Sequence, residues 1–162
     1  MDAYHMSAVA HPVGRALHGN GQPKVPQEIE EALERYRPPD CFDRLNSVYA
    51  VETPDFSKLG LDAGYIFKVD IGDEFQRHDA YWIGQLQLAY LKSKYRDRPY
   101  VSATWPDWTE DFVADCCAKY WRGETSNQPL WELLSKEAEV KEQLSTTIID
   151  AASTSGGWRV PA

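Results

Sequence analysis

Apolar residues recur along this chain with two periods, and the switches between them outline its elements. Residues 3–9 form a short apolar run, predicted as a strand or extended lead-in. Pro12, Gly14, Gly19, Gly21, Pro23 and Pro26 then punctuate a stretch that favours loops. From Gln27 to Arg37 the period becomes helical. Ile29, Leu33 and Tyr36 share a stripe, Pro26 stands near the first turn, and Pro38-Pro39 stops the element. Arg44–Ala50 reads as a strand, with the β-branched and aromatic residues of Ser47–Glu52 best suited to it. Thr53-Pro54 looks like a capped start for a short helix over 54–59, ending near Gly60.

Tyr65–Ile71, bounded by Gly64 and Gly72, is the clearest strand. A longer helix is predicted from His78 or Asp79 to about Tyr95, with Trp82, Leu86, Ala89 and Tyr90 as its stripe. Pro106 looks like the opening of another. In it Phe112, Cys116, Tyr120 and Val113, Cys117, Trp121 repeat every four residues, which makes the two cysteines core-facing apolar residues. Residues 130–134 and 138–144 fit strand or helix, and 151–162 have the composition of a tail. The expectation is one α+β domain over 1–150, with several helices around a small sheet.

Composition narrows the function. At 162 residues the chain can bury a full core. A net charge of −8 disfavours a nucleic-acid surface, and the densest basic stretch, Lys92–Arg98, has the character of a solvated helix end. Three cysteines, two of them adjacent, have neither zinc nor disulfide spacing, and the histidines at 5, 11, 18 and 78 have no metal-ligand spacing. No apolar run approaches the roughly 20 residues that span a bilayer. The N-terminus has no signal-peptide pattern, so the expected location is the cytoplasm. Six Trp and nine Tyr exceed what a core alone requires and suit planar ligands or partners.

The chemistry-bearing segments are Tyr4-His5, then Arg44 to Ala50, then Tyr120-Trp121-Arg122-Gly123 followed by Trp131-Glu132-Leu133-Leu134. Arg44, Ser47 and Tyr49 together suit a ligand that carries phosphates and flat rings. Each residue alone also has a structural role open to it: His5 and Tyr49 as packing residues, Arg44 as a partner of Asp40 or Asp43.

In these segments the chain resembles the ADP-ribosyltransferase superfamily, in the histidine–tyrosine–acidic branch of diphtheria-type toxins, poly-ADP-ribose polymerases and rifamycin-modifying enzymes. The resemblance covers roughly residues 3–145. It implies a small split antiparallel sheet, NAD as substrate and no metal. It assigns His5 to the nicotinamide-side ribose, Tyr49 to stacking on nicotinamide, and a late carboxylate to the oxocarbenium-like transition state. Glu132 fits the late acidic position of toxins and polymerases. Asp79 fits the earlier position of the rifamycin-modifying type, and also what a helix N-cap looks like. Tyr4, Arg44, Ser47 and Tyr65 are the further cofactor-binding candidates. Met6-Ser7 stands where many members have Gly-Thr. Glu137-Ala138-Glu139 resembles the motif of the arginine–serine–glutamate branch, but Ser153-Thr154-Ser155 follows it and reverses that branch's order.

The implied activity is mono-ADP-ribosyl transfer to a protein or small-molecule acceptor, as in a toxin or a phage–host conflict effector. Two readings compete with it. One is a non-enzymatic acidic module that binds a basic partner through Trp105, Trp108 and Trp158. The other is a family member that keeps the fold and NAD binding but has lost catalysis.

Overall fold

The first residues of the chain form the centre of its sheet. In the computed structural model, which describes residues 1–56 and 63–148, Asp2–Ser7 (β1) lies between Ala63–Asp70 (β4) and Val48–Val51 (β3). Ala16–His18 (β2), Phe75–Asp79 (β5), Trp131–Ser135 (β6) and Glu137–Ile148 (β7) complete a seven-stranded sheet of order β2-β7-β4-β1-β3-β6-β5. Every pairing is antiparallel. Gln27–Arg35 (α1), Tyr81–Lys94 (α2) and Glu110–Trp121 (α3) are the helices among the described residues. The class is α+β, with the sheet larger than the sequence pattern implied.

β1 and β4 share six register pairs, from Asp2↔Asp70 to Ser7↔Tyr65. β1 and β3 share one, Tyr4↔Val51. Beyond that pair the two strands part, and the sheet divides into a β2-β7-β4-β1 half and a β3-β6-β5 half. The chain crosses between the halves at Lys136, where β6 gives way to β7. Ser135 holds this corner, its hydroxyl lying 3.1 Å from the Ile71 carbonyl and 2.7 Å from that of Glu137.

Two cores follow from the alternation of side chains across a strand. The halves curl around Ala3, Val48, Ala50, Phe67, Val69, Leu133, Ala138 and Val140. On the opposite face of the β3-β6-β5 half, Leu134 meets Ile29 and Leu33 of α1, Leu86 of α2, and Cys117, Tyr120 and Trp121 of α3. Both four-residue stripes of α3 contribute buried residues here, and all three cysteines are free thiols.

Several boundaries differ from the sequence pattern, for physical reasons. Leu17 tucks into the curled core, so the glycine- and proline-rich stretch contains β2, paired with β7 through Ala16–His18. His78 and Asp79 do not start a helix; they end β5, because pairing with Glu132 and Trp131 of β6 outweighs local helix preference. α3 starts at Glu110, not near Pro106, because the Thr109 hydroxyl accepts from the Phe112 N–H and caps it there. Residues 54–56 are not helical, and the rest of the predicted 54–59 helix and the 151–162 tail lie outside the described residues. Residues 130–134 and 138–144, open between helix and strand, belong to β6 and β7 apart from Leu130. The strand read from Arg44 begins only at Val48, because residues 44–47 form a turn shaped by Asp43, which accepts from the Leu45 N–H and, through its carbonyl, from the Ser47 hydroxyl.

Candidate functional site

The candidate residues separate into two sets on either side of the sheet. His5 lies opposite Phe67 in the β1–β4 register and points to the curled-core face. Tyr49 lies opposite Leu134 in the β3–β6 register and packs on the helix-side core. The resemblance implies that His5 and Tyr49 face one cleft; their side chains lie on opposite sheet faces, so Tyr49 cannot stack on a ring held at His5. His5 instead reaches across the gap between β1 and β3, where its Nδ1 lies 2.7 Å from the Tyr49 carbonyl oxygen.

That bond fixes the tautomer. A carbonyl only accepts, so Nδ1 carries the proton, and in the neutral ring Nε2 is left with its lone pair. Neutrality is favoured: burial lowers the pKa of His5, the bond to Tyr49 opposes this in part, and the charges of Lys24 and His11 lower it further. Among the described residues Nε2 has no hydrogen-bond partner.

Around His5 the curled-core face carries flat rings and small donors. Ser7 lies opposite Tyr65, and the Tyr65 and Phe67 rings stack with centroids 6.4 Å apart. His11 tilts against Phe67 at 5.5 Å, and its Nε2 is 3.0 Å from the Ser7 hydroxyl. Tyr4 points to the other face with Met6, Val51, Phe56 and Ile66.

The remaining candidates form a buried ion cluster beneath the helices. Arg44 is 3% exposed and forks onto Glu30, with Nε and Nη2 each 3.2 Å from a carboxylate oxygen. Its Nη1 donates to Glu132 and to the Tyr120 hydroxyl, and Tyr120 donates to Glu132. The guanidinium also sits over the rings of Tyr49 and Tyr120, at 4.9 and 5.2 Å. Burial opposes its charge, but Glu132, Tyr120, Tyr49 and Glu30 together hold its pKa well above the ordinary value.

Arg44 thus pairs with Glu30 and Glu132, not with Asp40 or Asp43. Asp43 accepts instead from the Leu45 N–H and the Asn46 amide. Ser47 is buried and donates to the Asp43 carbonyl, which shapes the turn into β3.

His78 lies opposite Glu132 and stacks on Tyr120, with Nδ1 donating to the Tyr120 carbonyl. Burial lowers its pKa against the raising effects of that bond and of Glu132. His78 Nε2 and the Tyr49 hydroxyl are buried without partners among the described residues. Burial also pushes the Tyr49 phenol above its ordinary range. Sequence periodicity gives His78 only a place at a helix start, since its contact with the cluster depends on β5 being a strand.

Asp79 is fully buried, and its two oxygens accept the N–H groups of Tyr81, Leu130 and Ser126 at 3.0, 2.8 and 2.8 Å. It ties the first turn of α2 to the chain entering β6, as a cap-like carboxylate does.

No family model matches this chain, and no curated protein matches it. Among the described residues no group of three or more His, Cys, Asp and Glu side chains could hold a metal ion, and no helix is long and apolar enough to cross a membrane.

Proposed function

We propose that the chain is an ADP-ribosyltransferase-like domain that binds NAD where its sheet divides. The observation that carries this reading is the His5 imidazole. It is held by the Tyr49 carbonyl, and its Nε2, which has no hydrogen-bond partner among the described residues, has the lone pair needed to accept from a ribose hydroxyl. Tyr65 and His11, both half-buried, offer flat ring surface for a base or nicotinamide ring on the same face, backed by the fully buried Phe67. His5, Tyr49 and Glu132 stand on three neighbouring strands, β1, β3 and β6, but only His5 faces the curled-core side, so the reading rests on His5 and not on the other two. Transfer of ADP-ribose to a protein or small-molecule acceptor is the activity such binding serves.

One observation favours a narrower version, a domain that binds NAD without cleaving it. Breaking the bond to nicotinamide builds positive charge on the ribose, which a facing carboxylate stabilises. Glu132 is committed to Arg44 and Tyr120 on the opposite face, and Asp79 to three backbone donors. The charges that act on His5 among the described residues are Lys24 and His11, both basic. Calorimetric titration with NAD, followed by measurement of nicotinamide release with and without a cell lysate, separates the versions. Binding with release supports transfer, binding without release supports the narrower version, and no binding removes both.

A further inference from the structure

Ser7 and His11 meet where β1 ends. The Ser7 hydroxyl oxygen lies 3.0 Å from His11 Nε2, the separation of a nucleophile and its base. The Val9 N–H donates to the same oxygen at 3.2 Å. The hydroxyl thus accepts from the backbone and still has its own proton to give. Among the described residues His11 Nε2 is the acceptor in reach, so the proton lies on that bond. Nε2 then holds the lone pair, and Nδ1 carries the ring proton.

Both partners are held in place. Ser7 is fixed by its register with Tyr65 of β4, and Gly64 passes so close that a Cβ there would meet the Ser7 carbonyl oxygen at 2.9 Å. The His11 ring tilts against the buried Phe67 at 5.5 Å. Beyond it the Arg15 N–H donates to the Pro12 carbonyl and the Gly14 N–H to the Val140 carbonyl of β7, so the loop is anchored at both ends. Burial lowers the pKa of His11 and the charge of Arg15 lowers it further, which favours the neutral ring that a base requires. Ser7 and His11 are only half-buried, so a reagent can reach them. Val9 and Val13, each two residues beyond a member of the pair, are 59% and 68% exposed and give the loop an apolar surface.

We propose that Ser7 and His11 form a nucleophile–base pair that takes an apolar acyl group from a carboxylic ester. The Ser7 oxygen attacks the ester carbonyl carbon while its proton passes to His11 Nε2. The bond from that carbon to the alcohol oxygen breaks, and the alcohol leaves with the proton from Nε2. The acyl group stays on Ser7 until water, deprotonated by the same nitrogen, releases it as the carboxylic acid and restores the hydroxyl. The Val9 N–H stabilises the charge that develops on the attacking oxygen. This activity goes beyond the NAD reading and does not depend on it.

The test is incubation of the whole chain with p-nitrophenyl butyrate, with no NAD present, followed by nitrophenolate release and by peptide mass analysis. Wild type should acquire one butyryl group, on Ser7, and Ser7→Ala should not. His11→Ala should slow acylation of Ser7 by about a hundredfold, the lower end of what a positioned base contributes. His18→Ala, which removes an exposed imidazole elsewhere, should leave the rate unchanged. The rate in wild type should rise with pH through a single titration below the ordinary histidine value of 6.5. Should His11→Ala unfold, as a melting curve would show, Ser7→Cys replaces it as the readout: with the base in place its thiol should be acylated faster than that of Cys41. Butyrylation scattered over lysines with none on Ser7, equal rates with and without His11, or a Ser7→Cys thiol no faster than Cys41 would overturn the proposal. None of these results bears on NAD binding, so the two readings stand or fall separately.

Discussion

Glu132 and Arg44 form an ion pair beneath the helices, on the sheet face opposite the His5 imidazole. Arg44 is the single cation between two carboxylates, Glu30 and Glu132, with all three residues under 8% exposed. Removing a partner from such a cluster leaves uncompensated charge in a low-dielectric interior.

Arg44→Met should therefore destabilise the fold by about 3–5 kcal/mol, because both carboxylates lose their cation. Glu132→Gln should cost less, about 1–3 kcal/mol, since Arg44 keeps Glu30 and the amide can still accept from Arg44. Urea unfolding of both variants checks the order. Glu132→Gln should leave NAD affinity unchanged, whereas a residue at the ligand would alter it.

Asp79→Asn should cost about 1–3 kcal/mol, with its effect concentrated where α2 meets the approach to β6. The amide keeps one carbonyl oxygen for three backbone donors that now share two carboxylate oxygens. Hydrogen exchange at Tyr81, Ser126 and Leu130 should accelerate before exchange elsewhere. Uniform acceleration over the whole chain would contradict a local tie.

Stability should fall as pH drops below the ordinary histidine value of 6.5. His5 and His78 both have lowered native pKa values, mainly through burial. The unfolded chain then takes up protons first, so stability present above pH 6.5 is lost progressively down to the depressed native values. His78→Phe should make this acid limb shallower when unfolding free energy is followed against pH. NAD affinity should also fall over the native titration of His5, because protonated Nε2 cannot accept.

All three cysteines should be reduced and should label fully after unfolding without reductant. In the native protein Cys116 and Cys117 should react slowly, since both are buried in α3 and burial pushes their thiols up to about 12. A vicinal disulfide between them, detected by mass, would contradict the packing described.

The sequence made local periodicity legible and left contacts between distant segments hidden. Ile29 and Leu33 mark the buried stripe of α1, the four-residue repeats mark that of α3, and the alternation after Gly64 marks β4. Local pattern puts His78 and Asp79 at a helix start, whereas β5 owes its form to pairing with β6, some fifty residues later. Local sequence offers Arg44 the nearby Asp40 and Asp43, whereas its partners lie 14 and 88 residues away. His5 and Tyr49 were expected on neighbouring strands and are there. Their opposite faces follow from register, and register is set by partners such as Phe67 and Leu134 that no short motif contains.

The most direct test is the melting temperature of wild type and His5→Ala with and without NAD. A ligand that binds only the native state at about 100 times its Kd adds roughly 2.7 kcal/mol, which for a chain of this size raises Tm by about 5–10 °C. Wild type should show that rise, and His5→Ala, folded but lacking the Nε2 acceptor, should lose it. No rise in wild type, or an equal rise in His5→Ala, would contradict NAD binding at the divide of the sheet.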